Sequence, residues 1–303
     1  MKHIEQFNKD INNSSINRFA KWENYRNQID EITKNYLVLT KNIHDRVLLV
    51  GAGNCDDLNI GSFTKLFNQI FIADIDVENV QLGLKKQRIF EKVTGILKVE
   101  FTGFENNNFF NDLIYLMSSI QTKESIKSFI DHKMKDISES SFLKEYIGYF
   151  DLIVISPIYT QLIYNQVLSL TNQLRESDIS ENLLKFIETS MLDIMPLIID
   201  AFNKNILFLL KKHATLIVLS DIFQSEINSS FYQNVLTSIQ NLTKMDQMHS
   251  DYVHNFGYGL GDYGLLSLKK MIDLKKHHWL VWPFDDDKHM IVQLAIFNND
   301  PEK

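Results

Sequence analysis

The chain has few of the features that mark extracellular, membrane-spanning or nucleic-acid-binding proteins. Its 303 residues include one cysteine, Cys55, which excludes an internal disulfide and indicates a reducing compartment. The most apolar stretch, residues 191–210, is interrupted by aspartate and lysine, so no segment is expected to span a bilayer. No block of basic residues stands out and the net charge is −7, which argues against a broad nucleic-acid-binding surface.

The first residues are polar and lack the apolar region of a signal peptide. Together with the single cysteine, this predicts a cytoplasmic protein without membrane association. The absence of a basic block favours a small-molecule substrate over a nucleic acid. Hydrophobic residues make up 45% of the chain, which is enough for one large α/β domain with additions or for two small domains.

Residues 1–44 have the pattern of amphipathic helices. Apolar side chains recur at spacings of three and four and form one stripe, which comprises Phe19, Trp22, Tyr25, Ile29 and Ile32. The pattern favours helices that pack on the main domain, and the alternative is a lid over a ligand.

Short apolar runs after residue 45 predict a sheet. The expected strands are residues 46–50, 70–74, 95–101, 151–155, 215–220, 278–282 and 289–297. A helix is expected over residues 58–68, and another after Asp76, which is a good N-cap residue. Two stretches, residues 106–148 and 160–212, are predicted to be mostly helical insertions. The second is expected to be kinked or broken at Pro196.

The last two expected strands determine the fold class. Residues 283–289 separate them, and this gap is too short for the crossover that joins parallel strands. The two strands must therefore pair antiparallel if they pair at all. The prediction is an α/β fold with a doubly wound, mostly parallel seven-stranded sheet and a final antiparallel strand, plus N-terminal helices and helical insertions. A nicotinamide dehydrogenase sheet would normally be parallel here.

The strongest local motif is a glycine turn between two strands. Residues 51–58 (GAGNCDDL) follow the first expected strand, and the second ends in Asp74. Gly51 and Gly53 allow the backbone to approach a ligand closely, because no Cβ intrudes. An acidic side chain at the tip of the second strand can accept both ribose hydroxyls. The arrangement therefore suits a cofactor that contains adenosine, and the alternative is an ordinary glycine turn of an α/β protein.

The acidic residues of the turn discriminate between cofactors. A dinucleotide fingerprint has a third glycine where Asp56 stands. Asp56 and Asp57 would also place negative charge beside a phosphate. S-adenosylmethionine has no phosphate and carries a sulfonium and an ammonium group, so it suits these residues better.

The chain resembles the class I S-adenosylmethionine-dependent methyltransferases. The resemblance rests on residues 47–53, 72–76 and 150–157 and on the terminal strand pair, and it extends over about residues 46–297 with the insertions unmatched. It implies a Rossmann-like domain over residues 45–303, preceded by the helical segment 1–44.

The resemblance also implies a cofactor site. Gly51 and Gly53 would lie under the methionine part, Asp74 would take the ribose hydroxyls, and Ile75 would pack against adenine. The full set of implied cofactor-binding residues is Gly51, Gly53, Asn54, Asp74, Ile75 and Ser156. The chain departs from the family at Leu49, where many members have an acidic residue, and at Cys55, where many have a third glycine.

The loop after the fourth expected strand suggests the acceptor. Residues 156–159 (SPIY) are similar to the Asp/Asn/Ser-Pro-Pro-Tyr loop of methyltransferases that act on amino groups, with Ile158 in place of the second proline. The similarity implies catalytic roles for Ser156, which would hold the amine, and for Tyr159, which would stack on a planar substrate. The alternative is a proline turn with Tyr159 packed in the core.

Three further features are left with open interpretations. Asp221 follows the fifth expected strand and could face the substrate or cap a helix. Residues 254–264 hold four of the 11 glycines and could form a closing loop or a flexible connector. His277, His278, His289 and the acidic run 285–287 fit a solvated hairpin better than a metal site, so no metal is predicted.

The sequence thus predicts an S-adenosylmethionine-dependent methyltransferase whose acceptor is unknown and could be an amino group on a small molecule. One alternative is an aminopropyl or aminocarboxypropyl transferase on the same fold, which would release methylthioadenosine. Another is a non-catalytic binding protein that kept the cofactor pocket. The insertions could serve dimerisation, so a homodimer is an open expectation.

Overall fold

One twisted sheet runs through the molecule, with helices on both faces. A computed structural model of the chain describes residues 3–13, 18–40, 45–119, 122–138 and 140–300. Its strands are β1 (Arg46–Val50), β2 (Gln69–Asp74), β3 (Gly95–Lys98), β4 (Phe150–Ile155), β5 (Leu210–Glu226), β6 (Asp273–Trp282) and β7 (Lys288–Asn298).

The strand order across the sheet is β3-β2-β1-β4-β5-β7-β6. The first five strands pair parallel with their neighbours, whereas β7 is antiparallel to both β5 and β6. The predicted fold class is confirmed, including the reversed final strand. This topology is the one that the resemblance to class I methyltransferases implies.

The helices of the described chain lie before, between and after these strands. They are α1 (His3–Asn13), α2 (Arg18–Lys21), α3 (Glu23–Thr40), α4 (Ile60–Phe63), α5 (Val77–Lys86), α6 (Phe109–Ser119), α7 (Lys123–Ser138), α8 (Tyr164–Leu174), α9 (Glu181–Leu209), α10 (Ser230–Ser238), α11 (Leu242–Phe256) and α12 (Leu260–Met271). None of these helices is both long and apolar enough to cross a bilayer. The helical prediction for residues 1–44 also included residues 1–2, 14–17 and 41–44, which lie outside the described ranges.

The central strands are buried on both faces, and this divides the core into two layers. Successive side chains of a strand point to opposite faces, so Leu48 and Val50 join one layer while Val47 and Leu49 join the other. Helices α6 to α9 and α12 contribute to the first layer. Helices α3 to α5 contribute to the second, in which Trp22, Tyr25 and Ile29 of the predicted N-terminal stripe are buried. Leu49, the residue that departs from the family, is therefore an apolar core side chain.

The helix expected over residues 58–68 is much shorter in the structure, where α4 has four residues. The side chain of Gln87 explains part of the difference, because its amide group donates to the carbonyl oxygens of Cys55 and Leu58 and accepts from the amide of Ile60. These bonds hold the segment before α4 in an irregular conformation. By contrast, α5 begins as predicted, because the carboxylate of Asp76 accepts from the amide of Asn79.

The second predicted insertion is not broken at Pro196, because α9 is one helix of 29 residues that includes Pro196, and the alternative of a kink stays a prediction. A proline inside a helix removes one backbone hydrogen bond. Burial of the apolar side chains on both sides of it, such as Met191, Met195 and Ile199, stabilises the continuous helix.

Candidate functional site

The glycine turn after β1 has the left-handed backbone that brings it close to a ligand site. Gly51 has φ +71° and Gly53 has φ +51°, a region that glycine adopts without a Cβ clash. Cys55 adopts φ +58°, so its backbone conformation is one that a glycine would favour. Its thiol is buried, and this burial raises the pKa of the thiol. The turn therefore keeps a glycine-like conformation despite the cysteine.

Asp74 ties the tip of β2 to this turn. Its Oδ2 atom accepts from the amide of Gly53 at 2.8 Å, and its Oδ1 atom accepts from the amide of Asp76 at 2.8 Å. Burial raises the pKa of the carboxyl, whereas the amide donors stabilise the charged form. The carboxylate is thus fixed in position at the carboxyl edge of the sheet, where ligands bind in open α/β folds.

Two cavities lie on either side of the glycine turn. The large cavity has a volume of about 350 Å³, and the small cavity has a volume of about 50 Å³. Both are lined by Asn12, Gly51, Gly53 and Gln161, so the two spaces meet at the turn. The volume of the large cavity is within the ordinary range for small-molecule sites.

The small cavity adjoins Asp74 and has mostly apolar walls. Its remaining lining residues are Ile4, Asn8, Asp74, Ile75, Val99, Glu100, Phe101, Ile158 and Leu162. Glu100 lies just beyond β3, where its carboxylate accepts from the amide of Thr102 at 2.7 Å, and burial raises its pKa. Glu100 was not among the predicted site residues. Its position near the end of the expected strand 95–101 was the signal that could have identified it as a residue at the carboxyl edge of the sheet.

The large cavity combines aromatic, acidic and amide side chains from distant parts of the chain. Beyond the residues shared with the small cavity, it is lined by Ile11, Arg18, Trp22, Ala52, Asn54, Asp57, Pro157, Thr160, Asn165, Asp221, Gln224, Trp282, Phe284 and Met290. The two carboxylates and the single guanidinium in this lining make it acidic on balance.

The adjacent residues Asp56 and Asp57 have different environments. Asp56 turns away from the cavities and pairs with Lys86 at 2.7 Å. Asp57 lines the large cavity with 8% of its surface exposed. Burial raises the pKa of the Asp57 carboxyl to about 7, although the nearby Ser156 hydroxyl favours the charged form. Only Asp57 is therefore placed to act on a ligand.

Most of the predicted cofactor-binding residues come together at the cavities. Gly51 and Gly53 line both, Asn54 lines the large cavity, and Asp74 and Ile75 line the small one. This arrangement follows from the parallel pairing of β1 and β2, which brings the turn and the tip of β2 to the same edge.

Ser156 and Tyr159 lie outside both cavity linings. Ser156 is 1% exposed, and its hydroxyl is near Asp57 without meeting it in hydrogen-bond geometry. Tyr159 is fully buried, and its hydroxyl donates to Asn203 Oδ1 at 3.0 Å. Its ring packs so closely on Gly264 that a Cβ there would lie 2.2 Å from the ring. The loop contributes Pro157 to the large cavity, and the Tyr159 ring has the core position that the alternative interpretation expected.

The glycine-rich segment 254–264 is largely helical. Helix α11 ends at Phe256 and α12 begins at Leu260, so the connection between them is short. Gly261 packs against the carbonyl oxygen of Asp221. The segment does not contribute to the linings of the two cavities, and its glycines allow α12 to pack closely on the sheet and on Tyr159.

The histidines near the carboxyl terminus make separate contacts. His277 lies 2.9 Å from Asp246, and His289 lies 2.6 Å from the hydroxyl of Tyr232. Asp286 pairs with Lys21 at 2.7 Å. Within the described ranges, no three His, Cys, Asp or Glu side chains are grouped as metal ligands would be.

Helix α1 covers the turn and both cavities. Asn12 donates to Asp76 Oδ2 at 2.8 Å, and Glu5 pairs with Lys98 at 2.8 Å. The helix also supplies Ile4 and Asn8 to the lining of the small cavity. These polar contacts and few apolar ones hold α1 over the site.

Comparison with known proteins finds weak structural likeness and no sequence match. No protein-family model matches the chain, and no curated protein matches it. The N-methyltransferase NodS from Bradyrhizobium japonicum WM9, in complex with S-adenosyl-L-homocysteine, superposes with a TM-score of 0.47 and 11% identity, covering 99% of this chain and 100% of that chain. A SAM-dependent methyltransferase from Methanosarcina mazei gives a TM-score of 0.41 and 13% identity, covering 89% and 98%.

Proposed function

We propose that this protein is an S-adenosylmethionine-dependent methyltransferase that acts on a small molecule. The observation that carries the proposal is the Asp74 carboxylate, which is held at the glycine turn by the amide of Gly53 and faces the small cavity. Asp74 lies at the carboxyl edge of the parallel strands of the sheet. The next-to-last strand of this sheet, β7, runs antiparallel to β5.

The residues of the small cavity fit the adenosine part of this cofactor. The Asp74 carboxylate can accept the ribose hydroxyls, and Ile75 and Phe101 offer apolar surface to the adenine ring. Glu100 can accept from the exocyclic amine of adenine. A cavity of about 50 Å³ is smaller than ordinary ligand sites, so binding requires α1, which lines it through Ile4, to shift outward.

The residues of the large cavity near the turn fit the methionine part. Asp57 offers a carboxylate to the cationic sulfonium or ammonium group, and the Arg18 guanidinium offers a partner for the carboxylate. The absence of a basic cluster in either lining is consistent with a cofactor that has no phosphate. The remainder of the large cavity is available for a small acceptor.

The mechanism requires alignment more than acid catalysis. When bound, S-adenosylmethionine supplies an activated methyl group and a leaving group that departs as a neutral thioether. The glycine turn and Asp74 fix the position of the donor, because both are held by backbone hydrogen bonds. Trp22, Trp282 and Phe284 line the large cavity, where an acceptor packed against them would displace water from the reacting atoms.

Calorimetry with S-adenosylhomocysteine tests the proposal. We expect the wild-type chain to bind it, and Asp74→Asn to lower the affinity by about 100-fold, because charge-assisted hydrogen bonds to the ribose contribute about 1.5–3 kcal/mol each. Circular dichroism would establish that the variant is folded.

The matched control is Asp56→Asn, which removes a buried carboxylate from the adjacent glycine turn. Asp56 pairs with Lys86 and lines neither cavity. Its affinity should equal that of the wild type. The proposal would be contradicted if the wild type did not bind S-adenosylhomocysteine, or if Asp74→Asn bound it as tightly as the wild type does. With a suitable acceptor, release of methylthioadenosine would identify the aminopropyl-type alternative.

A further inference from the structure

The carboxylate of Asp221 lines the large cavity beside an irregularity in the sheet. The pairing of β5 with β7 shifts register between Asp221 and Phe223, and such bulges re-aim side chains at functional edges. Asp221 Oδ2 accepts from the hydroxyl of Thr160 at 3.3 Å. Its Oδ1 atom is buried and, within the described chain, has no hydrogen-bond partner. A buried carboxylate oxygen without a partner costs free energy, which a bound donor would recover.

Aromatic side chains form one wall of the same cavity. The ring of Trp282 lies 4.9 Å from that of Trp22 and 5.0 Å from that of Phe284, and Tyr25 stacks on Trp282 at 5.5 Å. Trp282 is 5% exposed, and its Nε1 atom has no hydrogen-bond partner among the described residues. The two packed indole rings thus present only narrow apolar edges to the cavity, and the half-buried ring of Phe284 presents more of its surface.

A cationic side chain of the protein already lies against the aromatic wall. The guanidinium of Arg18 lies 5.4 Å from the ring of Trp22 and 5.6 Å from that of Phe284, within the range of cation–π attraction. Asp57 supplies a second carboxylate to the lining with 8% of its surface exposed. Among the described lining residues Asp57 and Asp221 outnumber Arg18, so a cationic group beside Asp221 is favoured there and an anionic group is disfavoured.

We propose that the acceptor is a primary or secondary amine on an aromatic or apolar group, bound as a cation with its nitrogen at Asp221 and its apolar part against Trp22, Trp282 and Phe284. This inference rests on the proposed function and specifies its substrate class. The predicted loop at residues 156–159 suggested an amine through Ser156 and Tyr159, whereas the cavity assigns this role to Asp221.

The reaction then balances without any further reagent. The ammonium form gives one proton to the Asp221 carboxylate, which leaves the nitrogen lone pair free. That lone pair forms the new N–C bond, and the C–S bond of the donor breaks with its electron pair remaining on sulfur. The proton on Asp221 passes to solvent when the products leave. Burial raises the pKa of Asp221 to about 6, which makes it a better proton acceptor than an ordinary aspartate.

Three probes of similar size test the inference by calorimetry in the presence of S-adenosylhomocysteine: 2-phenylethylamine, 2-phenylethanol and phenylacetate. We expect the amine to bind the wild-type protein at least 10-fold more tightly than the alcohol, and the acid to bind most weakly. In Asp221→Asn the preference for the amine over the alcohol should fall to about threefold or less. Asp246→Asn, which changes a carboxylate that pairs with His277 outside the cavity, should retain it.

The comparison of probes on the wild-type protein decides the question even if Asp221→Asn does not fold. Equal affinity for amine and alcohol, failure to bind the amine, or preference for the acid would overturn this inference. If S-adenosylhomocysteine still binds in that case, the proposed function stands and only the acceptor class is wrong. If S-adenosylhomocysteine does not bind, the proposed function fails and the inference fails with it.

Discussion

The two cavities on either side of the glycine turn differ in how the chain builds them. More than half of the residues that line the small cavity end or follow the first three strands, such as Gly51, Asp74 and Glu100, and α1 supplies three more. The large cavity draws Trp22 from the N-terminal segment, Asp221 from β5 and Phe284 from the β6–β7 turn. A parallel sheet brings strand ends together by topology alone, whereas the large cavity depends on tertiary packing between distant segments.

The two cavities also differ in how their carboxylates are satisfied. Asp74 accepts from two backbone amides, and Glu100 accepts from the amide of Thr102. Asp221 has one buried oxygen with no partner among the described residues. The small cavity, which we propose for the adenosine part of the cofactor, is therefore preorganised by the backbone. The large cavity, which we propose for the acceptor, retains unfavourable desolvation that a ligand can relieve.

The largest effect is expected from disturbing the turn that both cavities share. Gly53→Val would introduce a branched side chain at φ +51°, with its Cβ 3.2 Å from Asn12 Oδ1. We expect the affinity for S-adenosylhomocysteine to fall by about 100-fold or more, which corresponds to about 2.7 kcal/mol. Calorimetry measures this loss.

Gly257→Val is the matched control for backbone strain. Gly257 has φ +83° and no atom within 4 Å of its Cβ position, and it follows α11 outside both cavity linings. It should lower stability without changing cofactor affinity. Similar losses of affinity in the two variants would indicate that the loss reflects general destabilisation and not contact at the turn.

A smaller effect is expected on the free energy of unfolding when Asp221 of the large cavity is replaced. The raised pKa of Asp221, about 6, means that the folded protein binds its proton more tightly than the unfolded chain does. The free energy of unfolding of the wild type should therefore fall as the pH rises through about 6. In Asp221→Asn no buried carboxyl has to ionise, so the variant should be about 1–3 kcal/mol more stable than the wild type at pH 8.

This stability difference should disappear below the ordinary pKa of an aspartate, 3.8, where the side chain is protonated in both states. The charged or titratable groups that share its surroundings are Asp57, Tyr25 and Arg18. They remain unchanged in the variant, so urea unfolding of both proteins at several pH values isolates Asp221. A variant that is less stable at pH 8 would show that the carboxylate is satisfied in the folded protein.

The fold, and the meeting of Gly51, Gly53 and Asp74 at one edge of the sheet, could be predicted because their signals are local. A gap too short for a crossover specified the antiparallel terminal pair, and two glycines followed by an acid at the next strand tip specified the turn. The short α4 could not be predicted, because the segment before it is held by the side chain of Gln87, which comes after β2 and α5 in the sequence.

The arrangement of the residues at and near the large cavity could not be predicted, because partners distant in the sequence orient them. The position of Tyr159 depends on Gly264 and Asn203, and nothing in residues 156–159 indicates this packing. Asp221 lies at a register shift between β5 and β7, which sequence patterns do not specify. The aromatic stripe of the N-terminal segment was recognised, but not the position of Trp22 beside Trp282.

A crystal structure of the protein with S-adenosylhomocysteine would show whether Asp74 holds the ribose. We expect both ribose hydroxyls to lie within hydrogen-bond distance of the Asp74 carboxylate. We also expect the adenine beside Ile75 and the amino-acid part in the large cavity, with α1 shifted outward to admit the nucleoside. A ligand bound elsewhere, or a ribose turned away from Asp74, would contradict this expectation.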